Sequence, residues 1–204
     1  MRIEKHTYSS YSDEQLMLEV VKGNSVAFTE IYDRYSKPML NYFYKMLWQD
    51  KLKAEDFMQE LFTKIIHKPH LFNPKLRFKT WIFTIANNMC KNEYRKQEVR
   101  KGSNNDLHDN IVVNDDSLDQ AKIVDKGLFN DRLKEELENL SKAHKQIFIL
   151  RFKQGFSMKE IADVLDISEG TVKSRVFYTL KKLSAQLKEF NPITISILLM
   201  LSII

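Results

Sequence analysis

Within residues 171–178, Thr171, Lys173, Ser174, Arg175 and Tyr178 carry hydroxyl, ammonium and guanidinium groups. These are the donors that hydrogen-bond phosphates and the edges of bases in a DNA groove. To act together they must share one face of a helix. Val172, Val176 and Leu180, with Leu183 a turn further on, recur at helical spacing and commit the opposite face to a core. Just upstream, Ser157-Met158-Lys159-Glu160 reads as a capping box, and Ile161, Ala162, Val164 and Leu165 form a short apolar stripe. Asp166-Ile167-Ser168 makes the turn, since Asp tolerates a left-handed backbone, although Gly is commoner there. Ser168 can cap the second helix, and Glu169 suits the positive end of its dipole. Ala162 is small where two helices must approach. The stretch predicts a helix-turn-helix, whose second helix enters the major groove. A plain helical hairpin with a solvated polar face is the alternative; the agreement of caps, turn, small residue and basic face weighs against it.

A second candidate lies between residues 75 and 96. Lys75, Arg77, Lys79, Lys91, Arg95 and Lys96 are interleaved with Phe78, Trp81, Phe83 and Tyr94. Cations follow phosphates, and aromatic faces stack on unpaired bases at about 1–3 kcal/mol each, so the mixture suits single-stranded DNA. A core stripe with a wet basic rim explains the same residues equally well. The spacing predicts a loop over residues 71–78 and a helix over 79–88, with Ile82, Ile85, Ala86 and Met89 facing inward.

A third patch is acidic. Lys53-Ala54-Glu55-Asp56 reads as the opening of a helix that buries Phe57, Leu61, Phe62 and Ile65. Glu55, Asp56, Gln59 and Glu60 remain outside, which on its own describes a solvated face. His67 and His70 flank Pro69 with no third ligand in view, so no metal site is expected. No nucleophile–base pair or phosphate loop stands out. Neither catalysis nor a cofactor is expected.

The whole chain bounds these readings. Its 204 residues allow one or two domains, and a net charge of +5 with a pI near 9.1 permits a polyanionic partner without requiring one. The single Cys90 falls in an apolar helical pattern and excludes an internal disulfide. The N-terminal residues lack the apolar core of a signal peptide, so export is not expected and a cytoplasmic location is. Five Gly, four Pro, long 3.6-residue patterns and no strand-like alternation predict an all-α fold. Ser12 caps a first helix carrying Leu16, Met17 and Val20 that ends near Gly23. Ser25 starts a second, which continues past Pro38 to Leu47. Residues 102–120 hold Asp106, Asp109, Asp115, Asp116 and Asp119 with no Lys or Arg, the composition of a flexible linker. Helical periodicity returns near residue 128, through Leu128, Phe129, Leu133, Leu137 and Leu140. Ser141 then caps a helix that ends at Gly155. Residues 142–188 carry ten Lys or Arg against four Asp or Glu, so the second half should bind DNA with marked salt dependence. The apolar tail, residues 192–204, is shorter than the roughly 17–25 residues a spanning helix needs. Folding back, peripheral membrane contact and partner docking all fit it.

Taken in order, three motifs resemble a bacterial RNA polymerase sigma factor of the extracytoplasmic-function type, the minimal sigma-70 kind with regions two and four only. AEDFMQELF resembles the helix that docks on the polymerase clamp. FNPKLRFKTWIFTIANNMCKNEYRK resembles the segment that melts and reads the minus-ten element. HKQIFILRFKQGFSMKEIADVLDISEGTVKSRVFYTLKKL resembles region four, the reader of the minus-thirty-five element. A helix-turn-helix alone is shared by many regulators; the three together are specific.

The resemblance implies two helical domains, region two over residues 12–100 and region four over 128–190, joined by a linker over 101–127 and followed by a tail over 191–204. It implies polymerase contact through Asp56, Gln59 and Glu60. At the minus-ten element it implicates Phe78, Lys79, Trp81, Asn88, Asn92, Arg95 and Lys96, with Asn92 standing where the family commonly has Asp. On the recognition helix it implicates Ser168, Thr171, Lys173, Ser174, Arg175 and Tyr178. Its implied partners are core RNA polymerase, promoter DNA and an anti-sigma factor, membrane-anchored in some relatives, with the protein itself a monomer. Two other readings remain open at this point: a dimeric regulator with a sensor in its first hundred residues, and an all-helical interaction protein with incidental basic faces.

Overall fold

The computed structural model describes residues 8–103 and 123–187, with side chains described up to Arg100 and again from Asp131. Every regular element among these residues is helical, as expected. They divide into two compact units. One comprises residues up to Arg100 together with Ala162–Asp166; the other takes the remainder.

The first unit is built on α1 (Asp13–Val21), α2 (Ser25–Met46), α3 (Lys51–His67), a 3-10 turn (Pro69–Leu71) and α4 (Phe78–Ser103). Ser12 and Gln15 close a reciprocal capping box at the start of α1. Gly23, at φ +87°, ends it. There Gly23 N–H donates to Val20 O at 2.9 Å and Asn24 N–H to Glu19 O at 3.1 Å, the paired bonds of a glycine-terminated helix. Asn24, rather than Ser25, caps α2, because its Oδ1 accepts from both Val26 and Ala27 N–H. α2 runs unbroken through Pro38. Its fully buried Ile31, Met39, Tyr42 and Phe43 face the core, with α1 on one side and α3 on the other.

Two helix limits differ from the expected ones. α3 begins at Lys51, not Lys53, since the Asp50 carboxylate accepts from Lys53 N–H at 3.0 Å and so occupies the cap. α4 does not stop near residue 88. The Lys, Arg, Gln and Glu residues between 91 and 100 are good helix formers and carry it on to Ser103.

The rest of the chain forms α5 (Ile123–Glu138), α6 (Lys142–Phe148), a π-turn (Ile149–Lys153), α7 (Met158–Leu165) and α8 (Glu169–Gln186), all in the second unit except the Ala162–Leu165 part of α7. α5 starts ahead of the expected residue 128, so helix occupies both ends of the stretch read as linker. Residues 104–122 and the apolar tail lie outside the described residues. Leu140, Phe148, Leu183 and Leu187 form a buried cluster, against which Leu133, Leu137 and Phe152 pack. Ser141 precedes α6, but its hydroxyl turns to His144 Nδ1 at 3.3 Å instead of a backbone N–H.

The helix-turn-helix forms as read. Ser157 Oγ accepts from Glu160 N–H at 3.2 Å while the Glu160 carboxylate accepts from Ser157 N–H at 2.9 Å. Asp166 takes the turn at φ +56°, and Ser168 Oγ accepts from Thr171 N–H at 3.1 Å to cap α8. A left-handed backbone costs a β-branched residue far more than Asp. Asp166→Val is therefore expected to lower stability by roughly 1–2 kcal/mol, with Asp166→Gly close to neutral. Urea unfolding of the two variants checks this.

Candidate nucleic-acid interface

The exposed loop of residues 73–77 is held from within. Asn73 Oδ1 accepts from Lys75 N–H at 3.0 Å, and Asn73 O accepts from Leu76 N–H at 2.9 Å. The residues that flank it, Phe72 and Phe78, belong to one aromatic cluster. Phe78 packs on Tyr35, Phe72 and Trp81 with ring centroids 5.1, 5.5 and 5.7 Å apart, and Phe72 lies 5.2 Å from Trp81.

Phe78 is fully buried in this cluster. It cannot offer a face to a base, contrary to the expectation that placed it among the DNA contacts, because the core claims its ring first. Phe83 is likewise fully buried. Tyr94 is half-buried and donates its hydroxyl proton to Met46 O at 2.5 Å. Of the four interleaved aromatics, Trp81 and Tyr94 are half-buried, and Trp81 is the one whose ring packs on Phe72 and Phe78 beside the loop.

Beyond Trp81, α4 exposes Asn88, Asn92, Arg95 and Lys96. Their spacing keeps them on the side of the helix that carries Trp81, over about 21 Å from Trp81 to Arg95. Lys79 is half-buried at the base of the helix. The stripe thus begins with a ring, continues with two amides and ends with two cations. Such an order can stack one base, hydrogen-bond others and follow the phosphates.

An ion pair that no local pattern signals fixes α4 against α3. Lys53 Nζ lies 2.5 Å from Glu93 Oε1, with Glu93 buried, and Lys53 also sits 5.5 Å above the Trp48 ring. The partners are 40 residues apart, beyond the reach of helical periodicity. On α3, Asp56, Gln59 and Glu60 are all exposed, and Glu60 bonds Lys64 one turn on at 2.6 Å. Leu61, Phe62 and Ile65 are buried on the other side.

In the second unit, α8 exposes Ser168, Lys173, Ser174 and Tyr178 and half-exposes Thr171 and Arg175. Several of these are already tied to their own helix. Ser168 Oγ lies 2.8 Å from Thr171 Oγ1, Ser174 Oγ donates to Thr171 O at 3.0 Å, and Lys173 pairs with Glu169 at 2.8 Å. Phe177, not singled out in the sequence, is also exposed and meets Tyr178 edge-on at 5.5 Å. Partial burial first, and then the neighbouring positive charges of Arg175 and Lys182, push His144 below its ordinary pKa.

A helical unit with a mixed aromatic, amide and basic stripe, and a second unit with a helix-turn-helix, define a two-domain DNA-binding protein. Sequence comparison sharpens this. Residues 31–100 match Sigma-70 region 2, and residues 137–185 match Sigma-70 region 4. The chain is 30% identical over 164 residues to the ECF RNA polymerase sigma factor SigL of Mycobacterium tuberculosis, covering 79% of this chain and 89% of that protein. It is 28% identical over 179 residues to SigW of Bacillus subtilis, covering 84% and 94%. Its fold is similar to that of the sigma factor RpoE of Bartonella quintana, solved in complex with the anti-sigma factor NepR, with a TM-score of 0.66 and 22% identity over 79% of this chain and 96% of that one. The chain belongs to the sigma-70 family, as an RNA polymerase sigma factor of the extracytoplasmic-function type. It partners core RNA polymerase and directs promoter-specific transcription initiation.

Cys90 takes no part in this surface. Burial pushes its thiol pKa up to about 12, so the nucleophilic thiolate is scarce at neutral pH. An alkylating reagent at pH 8 is expected to leave Cys90 untouched in the native protein and to modify it on unfolding; mass spectrometry reads the difference. Because the folded pKa exceeds the ordinary value of 9, this group's contribution to stability is complete below pH 9 and fades as pH rises toward 12.

Proposed function

We propose that the sigma factor divides its work among three surfaces. Asp56, Gln59 and Glu60 on α3 dock on core polymerase. Lys79, Trp81, Asn88, Asn92, Arg95 and Lys96 hold the opened minus-ten element, with Phe78 supporting them from below. Ser168, Thr171, Lys173, Ser174, Arg175 and Tyr178 read the minus-thirty-five element in the major groove. The observation that carries this reading is the stripe on α4, where an accessible ring precedes two exposed amides and two exposed cations along one helix side.

Opening a duplex means unstacking bases, and an aromatic side chain that takes up an unstacked base offsets that cost. The packing of Phe72 and Phe78 against the Trp81 ring supports this role. The amides of Asn88 and Asn92 offer both donor and acceptor groups to base edges, and Arg95 and Lys96 follow the backbone. The second unit supplies phosphate attraction and groove contacts, and polymerase sets the spacing between the two DNA elements. The chain catalyses no reaction itself and acts in the cytoplasm as a monomer within the holoenzyme. Region two extends over residues 12–100 and region four over 128–190. An anti-sigma factor restrains the free protein, a reading supported by the relative solved with NepR. No helix among the described residues is long and apolar enough to cross a membrane.

Run-off transcription with purified core polymerase tests the whole. Specific transcripts should require this protein, and Asp56→Arg with Glu60→Arg should abolish them by preventing holoenzyme assembly. Undiminished polymerase binding by that double variant overturns the docking assignment. Trp81→Ala should lower open-complex formation by about fivefold or more while leaving polymerase binding intact. For Arg175→Ala, duplex affinity should drop and its salt dependence should flatten by about one unit of slope if the guanidinium meets a phosphate.

A further inference from the structure

The side chain just before α4 cannot cap it. Arg77 precedes the helix and its carbonyl accepts from Trp81 N–H at 3.1 Å, but a guanidinium has no acceptor to offer the first-turn N–H groups. The acceptor comes from α1 instead. Glu14 Oε1 receives the Phe78 N–H at 3.0 Å across 64 residues of sequence. Partial burial works to raise the Glu14 pKa, yet the Phe78 N–H, its own backbone N–H, the Ser12 hydroxyl and the Arg77 charge together hold it below the ordinary value.

The neighbouring Asp13 reaches the same residue by another route. One of its oxygens accepts the Tyr35 hydroxyl proton, and the other accepts from Arg34 at 2.8 Å. The Tyr35 ring packs edge-on against Phe78. Arg34 further donates to the Tyr11 and Ser9 carbonyls at 2.9 and 3.0 Å and pairs with Glu30 at 2.8 Å, which pins the chain leading into α1 to α2. Two adjacent carboxylates of the first helical turn therefore fix Phe78, Glu14 by its backbone and Asp13, through Tyr35, by its ring.

We infer that Glu14 is a positioning residue for promoter melting: a remote N-cap that sets the loop of residues 73–77 and the Trp81 ring in the geometry that receives an unpaired base. The inference rests on the assignment of Trp81 and its stripe to the minus-ten element. Glu14 touches no DNA in this scheme. Its carboxylate acts through Phe78 N–H, and through the negative charge it places at the positive end of the α4 dipole. Without it, the first turn of α4 frays and the loop loses its fixed origin.

The experiment compares wild-type, Glu14→Ala and Glu14→Gln proteins, each assembled with core polymerase. Three quantities are read: affinity for core polymerase, affinity of the holoenzyme for a single-stranded minus-ten oligonucleotide, and binding of a duplex minus-thirty-five fragment. Glu14→Ala is expected to weaken oligonucleotide binding by roughly five- to tenfold, the equivalent of losing one cap, with the other two quantities unchanged. Glu14→Gln keeps an acceptor oxygen and should recover most of the loss. An equal fall in all three quantities marks a merely structural role and overturns the inference, as does wild-type oligonucleotide binding by Glu14→Ala. Trp81→Ala runs beside them. If it binds the oligonucleotide as well as wild type does, the underlying minus-ten assignment fails. If it binds weakly and Glu14→Ala does not, only the role of Glu14 fails.

Discussion

The direction of every exposed group on α4 depends on the burial of Phe78. A helix is stiff along its axis but free to roll about it, so one deeply packed ring near its start decides which residues face out. Phe78 sinks among Tyr35, Phe72 and Trp81, and each fits the others edge-on or tilted, as aromatic quadrupoles favour. Once that ring is seated, Asn88, Asn92 and Arg95 have no further orientation to choose. The Lys53–Glu93 pair then fixes the roll a second time, four turns along.

Local devices were legible in the sequence, and they formed as read. The Ser157–Glu160 box, the Asp166 turn and the Ser168 cap all join residues within a few positions of one another. Side-chain type and spacing suffice for such features. The apolar period likewise located Leu61 and Ile65 on the buried side of α3 and Val172, Val176 and Leu180 on that of α8. Long-range pairings were not legible. Glu14 with Phe78 and Lys53 with Glu93 lie 64 and 40 residues apart, and no spacing rule connects them.

The interleaved aromatics show a different difficulty. Phe78, Trp81 and Phe83 alternate with cations, and a base-stacking surface and a core stripe share that pattern. Packing assigned them unequally, burying Phe78 and Phe83 while leaving Trp81 half-exposed. The reason is steric. Phe carries no polar atom and is well accommodated inside, whereas the larger indole is less often buried completely. Helix ends were misplaced where a cap lay just outside the expected start, as with Asn24 and Asp50, or where the helix ran on through charged residues, as α4 does.

Trp48 and Gln49, at the junction of α2 and α3, both adopt left-handed backbone, with φ of 57° and 60°. Two such residues in succession store about 2 kcal/mol or more of conformational strain. Gln49 N–H to Tyr44 O at 2.9 Å and Asp50 N–H to Leu47 O at 3.1 Å hold the bend, and the Trp48 ring meets Tyr94 edge-on at 5.4 Å. Glycine at position 48 would relax the backbone and delete the ring in the same step. Evolutionary drift at this junction is therefore caught between two demands that no single amino acid meets. Variation among descendants of this chain should be slow there, and where Trp48 does change, a compensating change at Tyr94 should accompany it.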